Sequence, residues 1–183
     1  MRTTTIGWSL SLLLLAGAGA GEATTVDPGQ VAALENPRID AGEFLRLTVE
    51  ATTLRERRRL SEADFLRLAG EPGTVILDAR SRDKYAELHV RGAVSLPFPD
   101  FTVENLARAI PDPTAAVLIY CNNNFAGAEG EFPTKVAPAA LNLSTFVALF
   151  SYGYENVYEL GPLLEVKATR LALAGTTADS YRR

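Results

Sequence analysis

Apolar residues along the chain recur at two spacings, and the alternation between these spacings predicts helices interleaved with strands. Phe44, Leu47 and Ala51 repeat every three or four positions, which predicts a helix over 41–58. The same periodicities, with Ser, Gly and Pro at the ends of segments, predict the other elements. These are helices over 61–70, 81–88, 103–110 and 144–152, strands over 74–77, 93–96, 115–120 and 157–160, and a last helix beginning at Pro162.

Two of the predicted strands, at 74–77 and 115–120, are short and uninterrupted apolar runs. Such runs are typical of strands that are covered on both faces. Strands that alternate with helices predict a parallel sheet, so the expected fold class is α/β. Regular patterning fails for about twenty residues after Cys121. We expect this stretch, Asn122 to about Leu143, to form a substrate pocket or a lid.

The N-terminus has the pattern of a Sec-type signal peptide, with Arg2 before an apolar run that ends in small residues. The run is shorter than the roughly 20 residues that span a bilayer. We therefore expect an exported protein, periplasmic or secreted, with cleavage near Ala18 or Ala20 and no stable membrane anchor afterwards. The expected organisation is a signal peptide over 1–20, a flexible leader over 21–39, an N-terminal helical extension over 40–60, one α/β domain over 61–175 and a C-terminal tail over 176–183.

Charge and composition exclude several function classes. The formal net charge of −4 makes nucleic acid a poor partner. The one basic cluster, at 55–59, is expected to be a solvated helix face or helix end. No group of His, Cys, Asp and Glu has metal-ligand spacing, and no glycine-rich nucleotide loop is present in the sequence. The sequence therefore predicts neither a metal site nor a cofactor.

The chain contains one cysteine, Cys121, which cannot form an internal disulfide in an oxidising compartment. It directly follows the strand predicted over 115–120, and ligands of open α/β sheets bind beyond the carboxyl ends of the strands. A loop curled around the thiol can direct several backbone N–H groups at the sulfur and favour its anionic forms. The alternative is a small apolar residue buried at the end of a strand.

Several segments together resemble the rhodanese family over about residues 60 to 172. They are Leu77-Asp78-Ala79-Arg80, Tyr85, His89-Val90-Arg91-Gly92-Ala93, Leu96-Pro97, Tyr120-Cys121 and Gly153-Tyr154 with Asn156-Val157-Tyr158. The resemblance implies a single rhodanese-like domain with a sheet of about five parallel strands and helices on both faces. It also implies a thiosulfate sulfurtransferase-like enzyme in which Cys121 is the catalytic nucleophile and carries sulfur as a persulfide. Asp78, Arg80 and His89 match positions of the structural framework.

The loop after Cys121 departs from the family pattern. An arginine that often holds the anionic donor is replaced by Gly127, and this absence also argues against the cysteine phosphatases of similar architecture. The substrate-binding candidates in the enlarged loop are Asn122, Asn123, Asn124, Phe125, Gly127 and Lys135. Asparagine amides can donate hydrogen bonds to an oxyanion, or they can serve turn geometry alone. Lys135 is the only cation of the loop and a candidate anion binder, whereas Glu129 and Glu131 would repel an anionic donor if they faced the pocket.

Three functions remain open from the sequence. The first is an exported sulfurtransferase whose partners are a small sulfur donor and a thiol acceptor. The second is a rhodanese fold that has lost catalysis and serves as a binding or sensing module, with the long loop as its recognition surface. The third is a thiol redox or persulfide carrier that acts on partner proteins.

Overall fold

The computed structural model describes residues 36–181, and residues from 38 onward belong to one compact unit. The expected signal peptide, 1–20, and most of the expected leader, 21–39, lie outside the described residues. Within 36–181 no helix combines the length and the apolar character needed to cross a bilayer.

A five-stranded parallel sheet forms the centre of the fold, in agreement with the parallel sheet that the sequence pattern predicts and with the five strands that the family resemblance implies. Its strands in spatial order are β1 (Arg59–Leu60), β7 (Val157–Leu160), β5 (Val117–Tyr120), β2 (Val75–Asp78) and β4 (Val94–Ser95). The central strand β5 is buried along its whole length, because helices cover both faces of the sheet.

Successive residues of the central strand face opposite layers, and this alternation organises two cores. Leu118 and Tyr120 pack with α2 (Glu62–Ala69) and the region of α3 (Arg82–Glu87). Val117 and Ile119 pack with α1 (Ala41–Arg55), α4 (Val103–Ala109) and α5 (Leu141–Ser151). The fold is therefore α/β with helices on both sides of the sheet.

The N-terminal extension is shorter as a helix than predicted, because α1 ends at Arg55 and residues 59–60 form the edge strand β1. The sheet thus begins two residues before the domain start expected at 61. The basic cluster is more than a solvated face. Arg55 and Arg59 both pair with the buried carboxylate of Glu159, at 2.5 and 3.2 Å, and the guanidinium of Arg58 lies 4.4 Å from the ring centre of Tyr158.

The helix predicted from Pro162 onward is wrong. Residues after 161 form two short strands and a 3-10 turn over 178–181. Strand β8 (Leu164–Glu165) pairs with β6 (Phe125–Ala126), and β9 (Leu173–Ala174) pairs with β3 (His89–Val90). Pairing with these distant strands satisfies the backbone groups that a helix would have satisfied locally, so tertiary contacts override local propensity.

Candidate functional site

Cys121 lies where the central strand β5 ends and a 3-10 turn over 122–124 begins. Backbone N–H groups of Asn142, Asn123 and Leu141 lie near its sulfur and act to lower the pKa of the thiol. One of these donors belongs to the turn that follows the strand, and the other two belong to the first turn of α5. Helix α5 begins at Leu141, and the Ala140 that precedes it has no capping side chain. The N–H groups of the first helical turn, which have no partner inside the helix, are therefore available to the sulfur.

Burial dominates the electrostatics of the thiol. Cys121 is 2% exposed, and burial raises the pKa of its thiol above the ordinary value, because the thiolate is desolvated. The three backbone N–H groups act in the opposite direction, and the buried carboxylate of Glu159 adds to the rise in the pKa. The site accordingly favours the neutral thiol, and its N–H donors offset part of the cost of an anion on sulfur.

The N–H groups near the sulfur come from the turn over 122–124 and from the start of α5, and we call these two segments the thiol cradle. The side-chain amide of Asn124 joins the two segments. Its Oδ1 accepts from the backbone N–H of Cys121 at 2.9 Å and from Nδ2 of Asn142 at 3.1 Å. Its Nδ2 donates to the carbonyls of Leu160 and Pro162. All four hydrogen bonds go to protein groups, so both N–H groups of this amide already have partners, and its predicted contact with a substrate stays a prediction. Its amide holds α5 against the ends of β5 and β7.

Asn123 is also occupied by the protein. Its Oδ1 accepts from the backbone N–H of Lys135 at 3.0 Å, and its Nδ2 donates to the carbonyl of Lys135 at 2.7 Å. This two-point contact engages the amide that the sequence analysis assigned to substrate binding, and the substrate contact itself stays a prediction. It also fixes the backbone of Lys135 beside the turn that follows Cys121, although Asn123 and Lys135 are twelve positions apart along the chain.

Asn122 differs from its two neighbours. Its side chain is 6% exposed, and its Oδ1 has no hydrogen-bond partner among the described residues. It lines a cavity of about 530 Å³ beside the thiol cradle. Leu141, one of the N–H donors to the sulfur, lines the same cavity, and so do Lys135 and Lys84. Cys121 itself lies behind this wall.

Two other loop candidates, Phe125 and Gly127, lie outside the cavity lining. Phe125 is buried between the rings of Tyr120 and Phe132, with ring-centre distances of 5.9 and 4.4 Å. Gly127 has a φ of +79°, a left-handed conformation that glycine adopts without strain, and it is exposed. Neither residue lines the cavity near Cys121, and substrate contact by Phe125 and Gly127 stays a prediction.

The two loop carboxylates point away from the cavity. Glu131 accepts a hydrogen bond from the hydroxyl of Tyr181 at 2.9 Å, and Glu129 accepts from the backbone N–H of Gly127 at 3.1 Å. Neither carboxylate lines the cavity. The sequence analysis expected repulsion of an anionic donor only if these carboxylates faced the pocket, and neither of them lines this cavity.

The framework residues hold the long loop in place. Arg80 forms a buried ion pair with Asp78 at 2.6 Å, and its Nη1 donates to the carbonyl of Glu131 at 3.0 Å. Burial and the Asp78 carboxylate raise the pKa of Tyr120, which stays protonated and donates to Asp78. His89 stacks on the ring of Tyr85, with ring centres 3.9 Å apart, as a structural residue.

Sequence reasoning missed Lys84, Leu141 and Asn142. The sequence predicted that the helix over 144–152 begins at Ser144, a residue type that often caps helices. In the structure α5 begins three residues earlier, at Leu141, after Ala140, which gives no capping signal. Lys84 lies on a different element, α3, and reaches the cavity only through the packing of α3 beside the end of β2. No local pattern could have indicated that position.

The family model of the rhodanese-like domain matches residues 61–160, more than half of the chain. The chain belongs to the rhodanese-like domain family. Over 46 residues it is 37% identical to the thiosulfate sulfurtransferase PspE of Escherichia coli K12, which corresponds to 25% of this chain and 43% of that protein. The matched region thus spans less than half the length of this relative.

Two solved structures are similar in fold. A rhodanese-like domain from Anabaena sp. has 24% identity and a TM-score of 0.46, with 66% of this chain and 80% of that chain covered. A protein from Bacillus halodurans has 19% identity and a TM-score of 0.47, with 75% of this chain and 88% of that chain covered.

Proposed function

We propose that this chain is an exported rhodanese-like sulfurtransferase that carries sulfane sulfur as a persulfide on Cys121. The observation that carries the proposal is the position of Cys121 directly after the central strand, with backbone N–H groups of Asn123, Leu141 and Asn142 near its sulfur. The short sequence match to a thiosulfate sulfurtransferase supports the same chemistry.

The proposed reaction has two steps. The Cys121 thiolate attacks the outer sulfur of thiosulfate or another sulfane donor, a new S–S bond forms, and the old S–S bond breaks. With thiosulfate the leaving group is sulfite. The terminal sulfur of the resulting persulfide carries negative charge, which the N–H groups of the cradle stabilise. In the second step an acceptor thiolate takes this terminal sulfur and regenerates the Cys121 thiolate, so no cofactor is consumed.

Lys135 and Lys84 supply the positive charge that the loop arginine supplies elsewhere in the family. Both line the cavity beside the cradle, and no Asp or Glu among residues 36–181 lines it. Lys84 is partly neutralised by its ion pair with Glu87 at 2.5 Å. Lys135 has an exposed side chain and a backbone fixed by Asn123, so it is the principal cation proposed for an anionic donor.

One observation favours a second function, a binding module without catalysis. Cys121 is 2% exposed, and burial raises the pKa of its thiol, whereas a nucleophilic cysteine generally has a lowered pKa and partial exposure. In that case the cavity would hold a ligand, and the thiol would be part of the core.

A single mass experiment separates the two functions and tests export. The intact mass of protein recovered from the periplasm or medium should match loss of the first 18 to 20 residues. Incubation with a sulfane donor should then add one sulfur atom, and Cys121→Ser should abolish the gain. Because the thiol pKa is raised, the loading rate should keep increasing as the pH rises past about 8.5, the ordinary thiol value. A thiol that gains no sulfur and reacts with iodoacetamide only after unfolding would establish the binding module instead.

A further inference from the structure

A buried carboxylate lies beside Cys121 on the neighbouring strand. Glu159 of β7 is in register with Ile119 of β5, so both side chains project from the same face of the sheet. Cys121 comes two positions after Ile119, and its backbone is extended, with φ −144° and ψ −175°. Its side chain therefore projects from this face as well. The spacing of strands and the rise of two residues place the α-carbons of Glu159 and Cys121 about 8 Å apart.

A carboxylate at this position opposes an anion on the sulfur. Burial raises the pKa of the Cys121 thiol, and the charge of Glu159 adds to the rise. Sulfur transfer requires negative charge on the sulfur twice, in the attacking thiolate and in the persulfide. Because Cys121 is 2% exposed and Glu159 is 1% exposed, solvent screens the repulsion between them only weakly.

Two arginines from outside strand β7 compensate this carboxylate. Arg55, the last residue of α1, donates to both carboxylate oxygens of Glu159, at 2.5 and 2.7 Å. Arg59 of β1 adds a contact of 3.2 Å, but its side chain is about half exposed. Both arginines precede residues 61–160, the region that the family model matches. The charge balance beside the sulfur therefore depends on the N-terminal extension, and mainly on Arg55.

The other charged groups near this end of the sheet are paired or exposed. Among the described residues the buried charged side chains are Asp78, Arg80 and Glu159, and the first two neutralise each other in an ion pair of 2.6 Å. Helix α5, whose first turn lies beside the sulfur, carries no charged side chain. Lys84 and Lys135 line the neighbouring cavity and are accessible to solvent, which screens their charge. Glu159 is thus the buried charge that relies on a distant helix.

We propose that Arg55 is a positioning residue for the Cys121 thiol: its two-point ion pair keeps the Glu159 carboxylate from opposing negative charge on the sulfur. Arg55 contacts neither the sulfur nor a donor and acts through Glu159. Loss of this contact leaves the carboxylate to act on the sulfur, so less thiolate is available to attack a donor. The consequence for sulfur transfer rests on the function proposed above, whereas the effect on the thiol is measurable without any donor.

The single cysteine of the chain makes this effect directly measurable. Labelling with cysteine that carries ¹³C at Cβ gives one cysteine resonance from the full chain as it is recovered from cells. The pH dependence of this resonance reports the equilibrium between thiol and thiolate, and no reagent has to reach the buried sulfur. Arg55→Gln should move the midpoint upward, so that the thiolate fraction at pH 7 falls roughly three- to tenfold. Arg55→Lys keeps the charge and should restore most of this fraction.

The reverse substitution gives the opposite sign. Glu159→Gln should move the midpoint downward and raise the thiolate fraction at pH 7 by roughly three- to tenfold. The double variant lacks both charges and should return close to the midpoint of the natural chain. If the ion pair only held α1 on the domain, either single variant would loosen the packing and hydrate the thiol, and both midpoints would move downward.

Arg57→Gln is the matched control, because it removes the same charge from an exposed position two residues away. The proposal is overturned if Arg55→Gln and Glu159→Gln move the midpoint in the same direction, or if Arg55→Gln behaves like Arg57→Gln. Arg59→Gln should give a smaller upward movement, and it replaces Arg55→Gln in this comparison if the latter does not fold. If the midpoints move as expected but no sulfane donor loads Cys121, the sulfurtransferase function fails and the role of Arg55 stands.

Discussion

Two asparagines beside the cysteine direct their side-chain amides at other groups of the protein. Asn124 uses its whole amide to connect the end of β5 with the ends of β7 and the start of α5. Asn123 uses its amide to hold Lys135. These contacts hold the turn after β5 and the start of α5 together beside the sulfur. Asn124 is thus a positioning residue for the thiol cradle.

Asn124→Ala should lower the free energy of unfolding by about 2–4 kcal/mol, because it leaves the N–H of Cys121 and two carbonyls without partners in a buried region. It should also raise the alkylation rate of Cys121 at fixed pH, since α5 is no longer tied to the strand ends. Urea denaturation and iodoacetamide labelling measure the two effects. Asn123→Ala is the matched control and should cost less than about 1 kcal/mol, since its contacts are exposed. Equal costs for the two variants would contradict this account.

At the scale of the elements, α1 is an integral part of the domain although it precedes the region matched by the family model. Ala51 is fully buried in the core on one face of the sheet, and Phe146 and Leu149 of α5 belong to the same core. Arg55 binds the carboxylate of Glu159 through two nitrogens, at 2.5 and 2.7 Å. Because Glu159 is 1% exposed, its charge depends on this helix for compensation.

Arg55→Ala should lower the free energy of unfolding by about 1–3 kcal/mol, since Glu159 would then retain only its longer contact with Arg59. The matched control is Arg57→Ala, an exposed arginine two residues away, which should change stability by less than about 0.5 kcal/mol. Chemical denaturation of both variants at neutral pH measures the difference. Indistinguishable midpoints would show that α1 contributes through apolar packing alone.

At the scale of the whole molecule, the segment after β7 closes the fold by contacts with distant parts of the chain. Strand β9 pairs with β3, and the Thr169 hydroxyl and the Arg170 N–H both donate to the carboxylate of Glu62 at the start of α2. Burial alone would raise the pKa of Glu62, but these hydrogen bonds and that from the N–H of Leu171 outweigh it and hold the pKa below its ordinary value.

The lowered pKa of Glu62 predicts a pH-dependent contribution to stability. The contribution is fully present above the ordinary carboxyl pKa of about 4.3 and is lost as the pH falls through the lower folded-state value. Glu62→Gln should therefore cost about 1–2 kcal/mol at pH 7, and the difference from the natural chain should shrink as the pH falls below about 4.3, the ordinary carboxyl value. Urea midpoints across this range measure it, with the exposed Glu71→Gln as control. A difference that stays constant down to pH 3 would contradict the assignment.

The sequence by itself determined the α/β class, the parallel sheet and the place of Cys121 at the end of a strand. Those features follow from local periodicity and from runs of apolar residues, and both are visible within each segment of the sequence. The irregular stretch after Cys121 was also visible, because about twenty residues without a period cannot be mistaken for a helix or a strand.

Only the tertiary structure decided which loop residues surround the thiol and which serve the fold. Asn122, Asn123 and Asn124 are identical in type, yet one lines the cavity, one clamps Lys135 and one joins the strand ends to α5. Residues 164–165 and 173–174 likewise became strands through partners up to 85 positions away, the separation of His89 and Ala174. A side-chain amide or a backbone group forms hydrogen bonds with the groups that tertiary packing places near it. The adjacent residues of the sequence do not indicate which groups these are.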